Sequence, residues 1–275
     1  MDLGLKDKVA LVTGAGRGCG QTISITLARE GVKVGVNDYY LDRAEAVAKE
    51  IKDKGGEAIP LQADVTNRDQ VEQIVKRLVD THGQIDILVN NAGIPAGMLE
   101  TEGMMALAPL FHQTDRDTWE KWVNLDFFGN LTCDRVVAPY MIDQKYGRIV
   151  SIISDAGRIG EPRQAVYSGA KGGIVAFNKA LAKELARYGI TVNCVASSAM
   201  EDTYLLGLMG GAEPKDEEAK KRREAMMRLY PLARAYNRLG LTSDIANAAV
   251  FLASDVAAFI TGQVLSVNGG YSMVD

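Results

Sequence analysis

The sequence predicts an α/β fold in which a doubly wound parallel sheet of seven strands carries helices on both faces. Short apolar runs rich in β-branched residues alternate with longer amphipathic segments along the chain. The runs are apolar throughout rather than alternating with polar residues, as expected of parallel strands that are buried on both faces. A glycine-rich turn joins the first run to the first helical segment, which is typical of the ligand-binding edge of such a sheet.

The elements follow in chain order from these patterns. The predicted strands are residues 9–13, 33–37, 58–61, 85–89, 149–153, 190–195 and 264–267. The predicted helices are residues 20–30, 41–54, 67–81, 119–140 and 165–188. The third strand is weakened by Pro60, which cannot donate a hydrogen bond to a neighbouring strand. Asn67 suits the N-cap of the third helix because its side chain can accept from a free backbone N–H group.

No linker, repeat or low-complexity segment divides the chain, so one domain is expected over residues 1–275. Two connections, residues 94–118 and 197–241, are longer than is usual in such folds. Both follow strands, so we expect them to cover the ligand edge as substrate loops. The first is rich in methionine and leucine, which can form an adaptable substrate wall or simply pack against the core.

The second loop contains a basic run, Lys220-Lys221-Arg222-Arg223. Such a run could bind the phosphates of a coenzyme A thioester. Glu217 and Glu218 lie four residues before Lys221 and Arg222, a spacing that equally suits a solvated helix face. The sequence leaves both interpretations open.

Composition excludes several classes of protein. The 275 residues include 31 basic and 35 acidic side chains, and this net charge of −4 argues against nucleic-acid binding. No apolar run approaches the roughly 18 residues of a membrane span, and the N-terminus does not resemble a signal peptide. Cys19, Cys133 and Cys194 are predicted to be free thiols in a reducing cytoplasm. Neither they nor His82 and His112 have the spacing of a metal site.

The glycine-rich turn Thr13-Gly14-Ala15-Gly16-Arg17-Gly18-Cys19-Gly20 predicts a dinucleotide site, because the backbone can approach a pyrophosphate at a helix N-terminus. Asp38 ends the second strand, where a carboxylate would accept both ribose hydroxyl groups and repel a 2′-phosphate. This favours NAD over NADP. Arg17 argues in the opposite direction, since a guanidinium could bind that phosphate. Asp64 and Val65 follow the third strand, where the adenine ring should lie.

Tyr167 and Lys171 lie four residues apart on a predicted helix and therefore share a face. A nearby ammonium group lowers the pKa of a phenol, which would make Tyr167 a usable base. Ser154, at the end of the fifth strand, is placed to bind a substrate oxygen.

These residues resemble the short-chain dehydrogenase/reductase family. The resemblance rests on TGxxxGxG, Asn90-Asn91-Ala92-Gly93, Ser154 and YxxxK, and it extends from Lys8 to about Tyr271. It implies a Rossmann-type sheet and hydride transfer to or from a nicotinamide. It makes Tyr167 the general acid/base, Ser154 the group that polarises the substrate oxygen, Lys171 the partner of Tyr167 and of the ribose, and Asn124 the anchor of a relay water. The implied cofactor contacts are Gly14, Arg17, Gly18, Cys19, Gly20, Asp38, Asp64, Val65, Asn91, Ala92, Gly93, Tyr167 and Lys171.

One segment departs from the family. A Pro-Gly pair usually follows the sixth strand, whereas this chain has Ala196-Ser197-Ser198-Ala199. We expect an altered backbone path beside the nicotinamide, with Ser198 or Thr203 supplying the missing contact.

The expected function is NAD-dependent interconversion of a secondary alcohol and a ketone, with a cyclic or aryl alcohol or a 3-hydroxyacyl thioester as substrate. The alternatives are an NADP-dependent ketone reductase such as a 3-oxoacyl reductase, and a non-redox or inactive member of the same fold. The resemblance also implies a homotetramer.

Overall fold

The computed structural model describes residues 1–94, 109–201 and 216–274. Its sheet contains seven parallel strands in the order β3-β2-β1-β4-β5-β6-β7. The strands are β1 (Val9–Val12), β2 (Lys33–Asp38), β3 (Glu57–Gln62), β4 (Ile87–Asn90), β5 (Gly147–Ser154), β6 (Ile190–Ser197) and β7 (Val264–Val267). This confirms the predicted fold class: a single domain with a doubly wound sheet.

Helices cover both faces of the sheet. They are α1 (Gly18–Arg29), α2 (Leu41–Asp53), α3 (Arg68–His82), α4 (Arg116–Val123), α5 (Gly129–Gln144), α6 (Ala156–Ile159), α7 (Ala165–Leu185), α8 (Glu217–Met227), α9 (Pro231–Tyr236) and α10 (Thr242–Leu252). One apolar core joins the sheet to α1, α2 and α10, and a second joins it to α3, α5 and α7. The strand order reverses between β1 and β4, which places the ligand crevice at the carboxyl ends of these strands.

Pro60 is compatible with β3 because this strand lies at the edge of the sheet. It is in register with Val36 of β2, and no strand of the described residues pairs with β3 on its other side. The missing N–H group therefore removes no bond from the interior of the sheet.

The helix predicted over residues 119–140 is divided in the structure. It begins earlier, at Arg116, because Asp115 accepts a hydrogen bond from the Thr118 N–H group as an N-cap. A π-helical segment, Asn124–Phe128, then separates α4 from α5. Such segments bulge one turn of a helix and often occur at functional sites.

The two predicted substrate loops are partly described. Residues 109–118 contain a short 3₁₀ turn and the start of α4, and residues 216–241 contain α8 and α9. The methionine-rich part of the first loop lies outside the described residues. Within residues 1–94, 109–201 and 216–274, none of the helices combines the length and apolar character that crossing a membrane requires.

Candidate active site

The glycine-rich turn packs directly against the residues that follow β4. Asn91 donates from Nδ2 to the carbonyl oxygens of Thr13 and Gly14, each at 3.0 Å. A Cβ on Gly14 would lie 2.8 Å from the Cα of Ala92, and one on Gly20 would lie 2.5 Å from Nδ2 of Asn91. The close approach of the two loops therefore requires glycine at both positions.

The start of α1 is suited to a pyrophosphate. Gly18 has a left-handed φ of +57°, and no described atom lies within 4 Å of the position that its Cβ would occupy. The unpaired N–H groups of a helix N-terminus attract anions. Arg17 is the N-cap residue, and Sγ of Cys19 lies 3.5 Å from Sδ of Met200, which connects the turn to the segment after β6. This part of the chain fits a dinucleotide.

Asp38 lies beside the turn at the end of β2. Its Oδ2 accepts from the Gly16 N–H group and its Oδ1 from the Tyr40 N–H group, both at 3.0 Å. A Cβ on Gly16 would lie 2.6 Å from both Oδ2 of Asp38 and the Cβ of Arg43. Arg43 is thus a second cation at this position besides Arg17, and its guanidinium lies 4.2 Å from the ring centroid of Tyr40. Arg43 was not predicted as a site residue because it belongs to the next helix.

Asp64 and Val65 lie one strand further from the crevice. Oδ1 of Asp64 accepts from the N–H and Oγ1 of Thr66, at 2.9 and 2.7 Å. Val65 is buried and packs against the start of α5, where it would touch a Cβ on Gly129 at 3.0 Å. These hydrogen bonds with Thr66 give the Asp64 carboxylate a role in the local turn.

The predicted reacting residues meet at the carboxyl end of β5. Ser154 is the last residue of this strand, and its Oγ accepts from the Ala156 N–H group at 3.2 Å. The Ser154 hydroxyl also forms a hydrogen bond with Tyr167. Lys171 lies one turn further along α7, with Nζ 5.9 Å from the centroid of the Tyr167 ring and 3.2 Å from the carbonyl oxygen of Ile152. The structure therefore brings Ser154, Tyr167 and Lys171 into one cluster.

The ionisation of Tyr167 differs from the expectation. Lys171 and the hydrogen bond from Ser154 lower the pKa of Tyr167, as expected, but burial outweighs both and raises it above the ordinary value of 10.0. The negative charge of Asp126 adds to the rise. The expectation considered the cation alone and omitted both the loss of solvent and this carboxylate.

Asn124 does not join the cluster. Its side chain is exposed, and its carbonyl oxygen accepts the i+5 bond from the Gly129 N–H group within the π segment. The residue of this segment that reaches Lys171 is Asp126, whose Oδ1 lies 2.8 Å from Nζ. The π-helical turn therefore directs Asp126, rather than Asn124, toward the lysine.

Trp122 borders the cluster. Its indole ring meets the Tyr167 ring edge-on, with centroids 5.3 Å apart. Trp122 lies near the end of α4. This segment was predicted to be helical, but no site residue was predicted in it before Asn124. This aromatic wall was not predicted.

Ser198 is held by a residue that the sequence analysis did not identify. Oγ of Ser198 and Oη of Tyr230 are 2.7 Å apart, and the Ala199 N–H group donates to the same Oη at 3.3 Å. The Tyr230 ring is buried and stacks on Tyr271 at 4.9 Å. Tyr271 in turn donates to Glu161 at 2.5 Å. Tyr230 therefore fixes the Ser198-Ala199 segment, where the family usually has Pro-Gly.

Thr203, the other candidate for the missing contact, lies outside the described residues.

The basic run of α8 is largely paired with carboxylates. Arg223 donates to Oε1 of the buried Glu201 from Nη2 at 2.6 Å and from Nε at 3.0 Å. Arg222 and Lys220 pair with Glu218 and Glu217 on the exposed helix surface. Arg223 therefore fastens α8 to the segment after β6 and does not face a ligand as a free cation.

The comparisons with known proteins agree with this geometry. The family model described as short chain dehydrogenase matches residues 8–208. The chain is 40% identical over 271 residues to a 3-oxoacyl-[acyl-carrier-protein] reductase from Synechocystis sp., with 98% of each chain covered. It is 39% identical to an enzyme of the same name from Staphylococcus epidermidis, which covers 97% of this chain and 100% of that one.

A further relative has a different printed activity. The (2S)-[(R)-hydroxy(phenyl)methyl]succinyl-CoA dehydrogenase subunit BbsD of Thauera aromatica is 35% identical over 271 residues, covering 98% of this chain and 99% of its own. The family model and the long, nearly complete matches establish the family. The chain belongs to the short-chain dehydrogenase family and is an oxidoreductase that uses a nicotinamide cofactor.

Proposed function

We propose that this protein is an NAD-dependent dehydrogenase that interconverts a secondary alcohol and a ketone. The observation that carries the proposal is the cluster of Ser154, Tyr167 and Lys171 at the carboxyl end of β5. It lies on the same sheet edge as the glycine-rich turn. A phenol, a hydroxyl donor and an ammonium group within one cluster supply the groups needed to move a proton at a substrate oxygen.

In the oxidative direction, Ser154 donates a hydrogen bond to the alcohol oxygen and holds it beside Tyr167. The Tyr167 oxygen removes the hydroxyl proton as the alcohol becomes a ketone. Lys171 stabilises the phenolate that this requires and is placed to hold a ribose hydroxyl group. The nicotinamide, when bound, supplies the hydride acceptor. Positioning and hydrogen bonds to the developing alkoxide account for most of the acceleration.

Asp38 supports the choice of NAD. Both of its carboxylate oxygens are fixed by backbone N–H groups, so the charge stays where the adenosine ribose of a dinucleotide would lie. A 2′-phosphate there would meet a like charge at short range. Arg17 and Arg43 oppose this preference, but they act through long side chains, whereas the carboxylate is held by the backbone.

Trp122 supports a substrate with an apolar or aromatic group next to the carbinol carbon. The indole and Tyr167 rings meet edge-to-face with centroids 5.3 Å apart, so Trp122 is near enough to line the site of a substrate whose oxygen meets Tyr167. The relative from Thauera aromatica is named for a substrate with a phenyl group beside the hydroxyl-bearing carbon. A secondary aryl alcohol, free or as a thioester, is therefore the substrate class we propose.

The second candidate is reduction of a 3-oxoacyl thioester with NADPH. It is favoured by the names of the relatives at 38% to 40% identity, which are 3-oxoacyl-[acyl-carrier-protein] reductases. The pairing of Arg223 with Glu201 weakens one argument for a thioester, because this cation of the basic run is already used. The acyl portion could still bind along Trp122.

We further propose a homotetramer located in the cytoplasm. Phe128, between α4 and α5, and Phe259, before β7, are exposed aromatic residues on segments expected to pair. The three free thiols suit a reducing compartment. Light scattering coupled to gel filtration tests the assembly, and a monomer would contradict it.

The function is tested by following the absorbance of reduced nicotinamide with purified protein. Secondary alkyl and aryl alcohols, and their coenzyme A thioesters, are each supplied with NAD and with NADP. We expect reduction of NAD with aryl alcohols or their thioesters. Exclusive reduction of 3-oxoacyl thioesters with NADPH would establish the second candidate. A cofactor that remains bound through purification without net turnover would indicate a non-redox reaction.

A further inference from the structure

The catalytic lysine has a buried carboxylate partner. Asp126 is fully buried, and its Oδ1 lies 2.8 Å from Nζ of Lys171. The pair lies against the loop after β4, because a Cβ on Gly93 would be 2.7 Å from Oδ1 and 2.9 Å from Nζ. The two charges therefore sit between the Asn91-Ala92-Gly93 segment and Tyr167.

Asp126 has no other use in the described structure. Neither of its carboxylate oxygens has a further hydrogen-bond partner among residues 1–94, 109–201 and 216–274. Its backbone carbonyl accepts from Nδ2 of Asn130 at 2.8 Å, which belongs to the helix and not to the carboxylate. Burying a carboxylate costs folding free energy unless the charge is paired. A residue that only packed at this position would therefore be uncharged.

We propose that Asp126 is a positioning residue of the reaction, whose carboxylate holds the Lys171 ammonium group against Gly93 and offsets the positive charge that Lys171 presents to Tyr167. The inference rests on the proposed function, in which Tyr167 exchanges the proton. In this proposal, the π segment Asn124–Phe128 places the Asp126 carboxylate beside the Lys171 ammonium group.

Within the described part of the chain, few titratable groups face the pair. Lys171, Asp126 and the Cys19 thiol face Tyr167, while Asp126, Tyr167 and the Cys194 thiol face Lys171. Burial raises the pKa of Cys194 to about 12, so this thiol is neutral under ordinary conditions. Burial also raises the pKa of Asp126, to about 6, although Lys171 opposes the rise. At neutral pH the carboxylate and the ammonium group are therefore the dominant charges beside the phenol.

The consequence for Tyr167 has a definite sign. A carboxylate disfavours the phenolate, and an ammonium group favours it. Removing the carboxylate while Lys171 stays protonated leaves the cation unopposed, so Tyr167 should ionise at lower pH. A residue that only filled space would leave the ionisation of Tyr167 unchanged.

The test is Asp126→Asn, with Asp117→Asn as the matched control. Asp117 is an exposed carboxylate on α4, so its variant has the same net charge without a change beside Lys171. In Asp126→Asn, we expect the acid limb of kcat/KM for alcohol oxidation to move to lower pH by about one unit. The KM for NAD should also rise, because Lys171 is less well placed. Asp117→Asn should match the parent, and Asp126→Glu, which keeps the charge, should retain most of the parental profile.

A second measurement does not depend on turnover. The ionisation of Tyr167 is followed by tyrosinate absorbance, as the difference between each protein and the same protein carrying Tyr167→Phe. We expect a lower midpoint in Asp126→Asn than in the parent. Asp126→Ser replaces Asp126→Asn if the latter does not fold. An unchanged or higher midpoint would overturn the inference. If no alcohol is oxidised by the parent, the proposed function fails, and this titration still decides the role of Asp126.

Discussion

At the scale of single residues, the site depends on charges held in fixed positions near groups that react or bind. Asp38 is fixed by two backbone N–H groups, and Lys171 is fixed by Asp126 and the Ile152 carbonyl. Tyr167 could be identified from the YxxxK motif, and Ser154 from its position at the end of the fifth strand and from the family resemblance. Asp126 could not, because its partner is 45 residues away and only the folded chain brings the two together.

We attribute the choice between NAD and NADP to Asp38. Replacing Asp38 by Ser removes the charge that repels a 2′-phosphate and leaves Arg17 and Arg43 nearby. We expect the ratio of kcat/KM for NAD to that for NADP to fall by about 100-fold, since a few kcal/mol of like-charge repulsion is lost. Steady-state kinetics with both cofactors measure this ratio. Asp42→Ser, the same change at an exposed position of α2, is the control. A ratio unchanged by Asp38→Ser would contradict the assignment.

At the scale of elements, the strands were predictable because parallel strands buried on both faces are apolar in sequence. The π segment was not, because an i+5 hydrogen bond such as that from Gly129 to Asn124 leaves no recognised pattern. The sequence pointed to Asn124 through the family resemblance, whereas the structure brings Asp126, two residues further along this irregular turn, to Lys171. Residues far apart in sequence also fix the segment after β6, where Tyr230 holds Ser198.

Tyr230, the residue before α9, connects this helix to the segment after β6. Tyr230→Phe removes the bonds to Ser198 and Ala199 but keeps the ring stacked on Tyr271. We expect the KM for NAD to rise by about three- to tenfold, which corresponds to the loss of one or two hydrogen bonds. The control is Tyr236→Phe, at an exposed position of α9. Equal KM values for the parent and Tyr230→Phe would show that this hydroxyl does not shape the cofactor site.

At the scale of the whole molecule, the sheet buries polar groups as well as apolar ones. Asp134 is fully buried in α5, and its Oδ1 accepts from Nδ2 of Asn90 at 2.8 Å. Its Oδ2 has no partner among the described residues. Burial raises the pKa of Asp134 from its ordinary 3.8 to about 7. The fold therefore favours the protonated form of this carboxyl group.

This preference predicts how stability depends on pH. The contribution of Asp134 is fully present below its unfolded pKa and is lost as the pH rises through its folded pKa, because deprotonation leaves a buried charge. Between about pH 4 and pH 7, Asp134→Asn should flatten the decline of the unfolding free energy, by up to about 4 kcal/mol in total. Urea unfolding across this range measures the effect. Asp143→Asn, exposed on the same helix, is the control, and parallel pH profiles for the parent and Asp134→Asn would contradict the prediction.

The central claim is tested most directly by turnover of Tyr167→Phe with NAD and the best alcohol substrate. The change removes the phenolic hydroxyl group that exchanges the alcohol proton. It leaves the aromatic ring against Trp122. We predict that kcat falls by at least about 1,000-fold, which is the range expected for a lost general base and its electrostatic support. The dissociation constant for NAD should change by less than about threefold. Turnover near the parental rate would contradict the account.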